Sequence, residues 1–272
     1  MSEPIITSTA NERIKLVRSL NQPRERRRER AFLVEGVRLV EDALRAGLSP
    51  RVALVDREQL DRSPRGVAIS AALRSMPGIE LLRVSERVLA SVTETVAPQG
   101  IVAVFTQPEP SASPMFGPLA LVLDGIRDPG NLGTILRAAE ASGIVGGALL
   151  IGCADVWAPK VVRSGMGAHF RLPLLPDVDW STARRLLGDR AIWLAEMSGG
   201  RAYDEVDWTR DCALVMGGEA AGASDEAERA ATGVVSIPMA GGAESLNVAM
   251  ATSIIVFEAA RQRRKATKTK RR

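Results

Sequence analysis

A chain of 272 residues, 46% hydrophobic and 25% charged, is sized for one or two globular domains whose cores need no covalent staples. Two cysteines, Cys153 and Cys212, exclude a disulfide framework and leave too few thiolates for a cysteine-built zinc site, and the one histidine, His169, excludes a His-Glu-x-x-His metal site and any Ser-His-Asp triad that does not use it. The net charge of +4 is uneven: residues 1–108 hold 17 Lys/Arg against 13 Asp/Glu, residues 109–260 hold 11 against 19, and residues 261–272 hold 8 against none.

In chain order, Ile14, Leu16, Val17 and Leu20 recur at a helical period, and the charged run Arg24–Arg30 follows. Phe32 to Gly36 reads as a short strand, and Val37 to Ala46 as an amphipathic helix stopped by Gly47. Val52–Val55, Glu80–Val84 and Ile101–Phe105 read as strands, with a helix over 85–92 capped by Ser85. Strands alternating with helices predict an α/β arrangement. Residues 107–118 hold four prolines in twelve residues, which neither a helix nor a central strand tolerates. This segment is the expected linker between a domain at 1–106 and one at 119–264, leaving 265–272 as a basic tail.

The second half repeats the alternation. Leu119–Leu123, Ala148–Ile151, Ala191–Ala195, Ala213–Met216 and Val234–Ile237 are almost continuously apolar, as parallel strands covered on both faces should be. Helical patterns lie between them at 132–142, 159–166, 181–187 and 224–231, and a last one runs from Leu246 to about Arg263. The start of the chain lacks the basic stretch and apolar run of a secretory signal, and no apolar stretch reaches the ~18 residues of a membrane span. A cytoplasmic protein with no membrane partner and no metal site is expected.

Ligands of an open parallel sheet bind beyond the carboxyl ends of its strands, and three motifs stand there. Asp124-Gly125-Ile126-Arg127-Asp128-Pro129-Gly130-Asn131 ends a strand and opens a helix that carries Arg137; the plain alternative is that Asn131 caps the helix and Arg137 is a surface cation. Gly217-Gly218-Glu219-Ala220-Ala221-Gly222 is a glycine turn with one carboxylate; it lacks the Gly-x-Gly-x-x-Gly of a dinucleotide fold, and its glycines would let a ligand approach the backbone. Ile237-Pro238-Met239 leads through two glycines to Ser245-Leu246-Asn247-Val248, where a helix start leaves backbone N–H groups free, or where Ser245 simply caps the helix.

Together the three resemble the SpoU/TrmH family of RNA 2'-O-ribose methyltransferases, in the SPOUT superfamily. The resemblance rests on Asn131 with Arg137 six residues on, on Gly217, Glu219 and Gly222, and on Ile237-Pro238-Met239 with Ser245-Leu246-Asn247-Val248. It spans about residues 119–263, and the first half, with Phe32-Leu33-Val34-Glu35-Gly36, resembles the family's L30e-like substrate-binding domain. The resemblance implies a parallel sheet closed by a C-terminal trefoil knot. It implies S-adenosyl-methionine held near Ala195, Glu196, Gly217, Ile237, Met239 and Leu246, with Arg137, Asn131, Glu219, Ser245 and Asn247 serving catalysis. It further implies an RNA substrate, ribosomal (23S) rather than transfer RNA, and a homodimer. Two other readings stand beside it: a non-catalytic L30e-like RNA-binding protein, and a nucleotide-dependent enzyme of Rossmann type, against which the missing glycine fingerprint argues.

Overall fold

The computed structural model describes residues 4–95, 98–109, 116–219, 222–242 and 244–269, so residues 110–115 of the expected linker lie outside the described residues. The chain forms two compact units, Met1–Glu109 with Trp157–Phe170, and Pro110–Val156 with Arg171–Arg272.

In the first unit, α1 (Glu12–Ser19) is capped by the Asn11 side chain and buries Ile14 and Val17. After it come α2 (Pro23–Glu29), β1 (Ala31–Glu35), α3 (Val37–Arg45), β2 (Pro50–Val55), α4 (Arg57–Leu60), α5 (Pro64–Ser75), β3 (Glu80–Arg83), α6 (Glu86–Ala90) and β4 (Ile101–Thr106). The strands lie in the order β1-β4-β2-β3, with β4 antiparallel to both neighbours and β2 parallel to β3, so the sheet is mixed. The expected strands are present, but α4 and α5 have no counterpart in the sequence reading. Helix α5 buries Gly66, Ile69, Ser70 and Leu73, which is a regular one-face spacing. Two of those four positions are glycine and serine, so the buried face is invisible to a hydrophobic pattern. The glycine is sterically required: a Cβ on Gly66 would stand 1.8 Å from the Leu60 carbonyl oxygen.

The second unit opens with β5 (Leu119–Asp124), α7 (Pro129–Ser142) and β6 (Gly147–Leu150). The chain then contributes α8 (Pro159–Gly165) to the first unit, where Arg163 pairs with Glu94 at 3.1 Å and Glu35 at 3.5 Å. His169 also belongs there, 3% exposed and 5.7 Å from the Trp157 ring, so the single histidine is a core residue. Back in the second unit come β7 (Leu174–Val178), α9 (Trp180–Leu187), β8 (Ala191–Ala195), β9 (Arg201–Ala202), β10 (Cys212–Gly217), α10 (Asp225–Ala230), β11 (Gly233–Ser236) and α11 (Val248–Thr269).

The seven strands run parallel in the order β7-β6-β5-β10-β8-β11-β9. Position in the sheet follows apolar continuity. β5 is buried along its whole length and β10 along all but its last residue, and the two pair at the centre. The edge strands β7 and β9 went unread in the sequence: β7 carries Pro176, which an edge tolerates, and β9 is only two residues long. Register sets the site. Asp124 faces Gly217, Met216 faces Ala195, and Ala195 faces Val235, so the carboxyl ends of β5, β10, β8 and β11 finish at one edge of the sheet.

Candidate active site at the strand tips

The loops leaving β5 and β10 are bound to each other. Asp124 is 7% exposed, and its carboxylate accepts the Ser224 N–H at 2.8 Å and the Ser224 hydroxyl at 2.7 Å. Ser224 in turn caps α10, so one buried acid ties the end of β5 to the start of that helix. Between β10 and α10, Gly218 and Gly222 exchange backbone hydrogen bonds at 3.0 Å in both directions. A Cβ on Gly218 would stand 2.4 Å from the Gly125 carbonyl oxygen, and one on Gly217 would stand 2.4 Å from the Ala223 nitrogen. Gly217 and Gly218 therefore let the chain approach itself, and with Gly222 they also line the adjoining cavity.

Against that pair of loops the third motif closes. Asn247 is the cap of α11: its Oδ1 accepts the Ala249 N–H at 2.9 Å and the Met250 N–H at 3.4 Å. With the oxygen committed to the helix, the amide nitrogen faces outward and donates to Asn131 Oδ1 at 3.0 Å. This fixes the Asn131 amide in turn, and its nitrogen donates to the Glu219 carboxylate. Each link leaves only one sensible orientation for the next, because an ionised carboxylate accepts and cannot donate. The helix start at α11 thus orients a carboxylate from the loop after β10 through two asparagines. Asn131 itself does not cap α7; Asp128 does, accepting the Asn131 N–H at 2.8 Å.

Beside this cluster lies a cavity of about 570 Å³. Ala195 to Met197 from the end of β8 onward, Gly217 to Glu219 from the end of β10 onward, Ile237 and Met239 after β11, and Ser245 to Val248 before and into α11 line it. Glu228 of α10 completes one side. Burial raises the Glu196 carboxyl above the usual range, and the like charge of Glu228 raises it further.

Of the residues expected from sequence, Ala195, Glu196, Gly217, Glu219, Ile237, Met239, Ser245, Leu246 and Asn247 all line this one cavity. Asn131 joins it through its bonds to Glu219 and Asn247. Arg137 does not: it is exposed on α7, is not among the lining residues, and has no hydrogen bond or ion pair among the described residues. Three functional positions were missed. Glu228 sits on a helix with no motif. Asp124 and Asp128 stood inside a quoted motif, but their partners, Ser224 and a backbone N–H, could not be told from spacing. Among the described residues no group of His, Cys, Asp and Glu is arranged to hold a metal ion.

The SpoU rRNA methylase family model matches residues 118–257, and an MRM3-like substrate-binding domain model matches residues 11–103. The chain belongs to the SpoU methylase family. It is 32% identical to human mitochondrial rRNA methyltransferase 3 over 88% of this chain and 69% of that one. With RlmP of Bacillus subtilis (strain 168), a 23S rRNA (guanosine(2553)-2'-O)-methyltransferase, it shares 32% identity over 93% of this chain and 97% of the relative. Its structure is similar to that of an AdoMet-bound rRNA methyltransferase from Sinorhizobium meliloti, with a TM-score of 0.81 and 33% identity over 95% of this chain and 97% of that chain.

The cavity fits S-adenosyl-methionine, the cofactor of that neighbour. Its volume lies within the ~300–1,000 Å³ of small-molecule sites. Its walls combine apolar side chains (Ile237, Leu246, Ile255) with the carboxylates Glu196 and Glu228, a donor set suited to an apolar base and a cationic sulfonium.

Proposed function

We propose that this protein methylates a ribose 2'-hydroxyl of RNA, with ribosomal RNA, and 23S RNA in particular, as its substrate. The observation that carries the reading is the hydrogen-bonded series Asn247–Asn131–Glu219 at the edge of the cavity, where two amides and a carboxylate are held beside the room for a donor. When bound, S-adenosyl-methionine supplies a sulfonium methyl to the ribose oxygen: an O–C bond forms, the S–C bond breaks with its electron pair left on sulfur, and the hydroxyl proton departs. Such a displacement neutralises charge, so positioning dominates the catalysis.

The chain's own groups supply that positioning. Ala195, Gly217, Ile237, Met239 and Leu246 hold the donor, and Glu196 lies on the same wall. Glu219, Asn131, Asn247 and Ser245 present fixed acceptors and donors to the ribose. Arg137 aligns the neighbouring phosphate and stabilises the forming alkoxide. Its guanidinium holds its proton too strongly to be the base, so the phosphate or a water takes the proton.

Arg137 is exposed, which accords with a homodimer in which it serves a site completed by a second copy. Met250 and Phe257, 57% and 44% exposed and two helical turns apart on α11, are the apolar surface for that contact. The basic first unit and the C-terminal residues steer RNA. No described helix is long and apolar enough to cross a membrane. We place the protein in the cytoplasm, by its likeness to the Bacillus subtilis relative. The knot is carried over from the family.

The deciding experiment maps 2'-O-methyl sites in RNA from cells with and without the protein. One ribosomal position should lose its methyl group in the deletion; an unchanged map would end the reading. Binding of labelled S-adenosyl-methionine to the purified chain separates the enzyme from a plain RNA-binding protein.

A further inference from the structure

The charge of the cavity wall runs to one sign. Among the described lining residues are three carboxylates, Glu196, Glu219 and Glu228, and no lysine, arginine or histidine. Glu219 is engaged by the Asn131 amide. Glu196 and Glu228 are not so engaged: among the described residues neither carboxylate has a hydrogen-bond or ion-pair partner, and the electrostatic influence on Glu196 is that of Glu228, a like charge. They reach the cavity from different elements, Glu196 from the end of β8 and Glu228 from α10. Two carboxylates without a counter-cation, one of them partly buried, cost stability in the empty site. That cost is relieved when a cation enters.

We infer that Glu196 and Glu228 make the cavity select the charged methyl donor over the spent product. The inference rests on the methyl-transfer reading above. The donor carries a sulfonium, an ammonium and a carboxylate, a net single positive charge; transfer of the methyl group leaves a thioether and a molecule with no net charge. The two ligands share nearly the same shape, so apolar walls cannot separate them. A negative wall can, because it attracts the first by one full charge more than the second, and specificity is the difference between two affinities. The consequence is directional: the donor is drawn in, and the chemical step itself cancels part of the attraction that would hold the product.

The test measures the dissociation constants of S-adenosyl-methionine and S-adenosyl-homocysteine by calorimetry on the full chain. The wild type should favour the donor. E228Q and E196Q should each narrow the ratio about three- to tenfold, the size of one partly screened charge pair, and mainly by weakening the donor. E228D, which keeps the charge, should restore the ratio. Raising salt should narrow the ratio in the wild type and do so much less in the double Gln variant, which keeps only Glu219 on the wall. An unchanged ratio in variants that melt like the wild type, an equal loss for both ligands, or a salt-independent wild-type ratio would overturn the inference. A wild-type chain that binds neither ligand would overturn the methyl-transfer reading itself, and this inference with it.

Discussion

The first part of this chain and its middle carry opposite charge. Residues 1–108 hold 17 basic against 13 acidic side chains, whereas residues 109–260 hold 11 against 19. The second unit then turns basic in its last turns, where Arg264, Lys265 and Lys268 extend α11 through Thr269. The net charge of +4 conceals this division, and the division is informative. In the proposed reaction one ligand is a polyanion and the other a cation. A chain of uniform charge would attract one and repel the other. Segregating the signs lets the basic regions meet phosphate while the acidic strand tips meet the sulfonium, and each interaction is screened by salt in its own way.

Separate substitutions should break that division cleanly. The largest effect belongs to the acidic centre. N131A removes the link between Asn247 and Glu219, and methyl transfer in a single-turnover assay should fall by about ten- to a thousandfold, as for loss of one positioned group. RNA affinity, measured by filter binding, should stay within about twofold; an equal fall in both would merge what the comparison separates.

D124A comes next. It removes a buried acceptor of two hydrogen bonds and should lower stability by about 1–3 kcal/mol, read as a fall in urea midpoint. A midpoint unchanged in D124A would mean that the β5 and β10 loops are held by the glycine contacts alone.

Removing residues 264–272 should weaken RNA binding by about tenfold at moderate salt and flatten its salt dependence, with donor affinity untouched. A salt slope equal to that of the full chain would remove the last turns of α11 from the RNA surface.

The smallest effect sharpens the comparison from the other side. Both thiols lie in the second unit, so thiol chemistry reports on that unit alone. Burial pushes the Cys212 thiol up to about 11, and burial also raises Cys153. Because the folded-state value lies above that of a free thiol, Cys212 is reactive only as thiolate at strongly alkaline pH or after unfolding. A disulfide reagent at pH 8 should therefore label Cys212 at the rate at which the second unit opens, slowly in the wild type and faster in D124A. Rapid labelling of Cys212 in the native protein would show that the sheet core is accessible.

Much of the site is legible in the sequence. The apolar runs that became β5, β8, β10 and β11 are continuous because both faces are covered, and the polar residues that follow them stand where strands end. Two readings changed. Capping is one reading of Asn131 and of Ser245 in the sequence, yet the caps are Asp128 and Asn247. Asp, Ser and Asn cap helices almost equally well, so spacing alone does not choose among neighbours. The glycines of the turn read as room for a ligand; they line the cavity, and Gly217 and Gly218 also make room for Ala223 and Gly125.

By itself, the sequence determined most of the elements, their order, and the set of polar residues at the strand tips, because periodicity and breaker residues are local properties of a chain; α4, α5 and the edge strands β7 and β9 carry too weak a local pattern to be read. Tertiary structure alone decided which of those residues meet. Strand register set Asp124 opposite Gly217, and the return of α11 brought Asn247 to Asn131 across 116 positions of sequence. It also left Arg137 outside the cavity that its motif partner helps to build. Contacts at such separation depend on how sheets and helices pack, which no local pattern encodes.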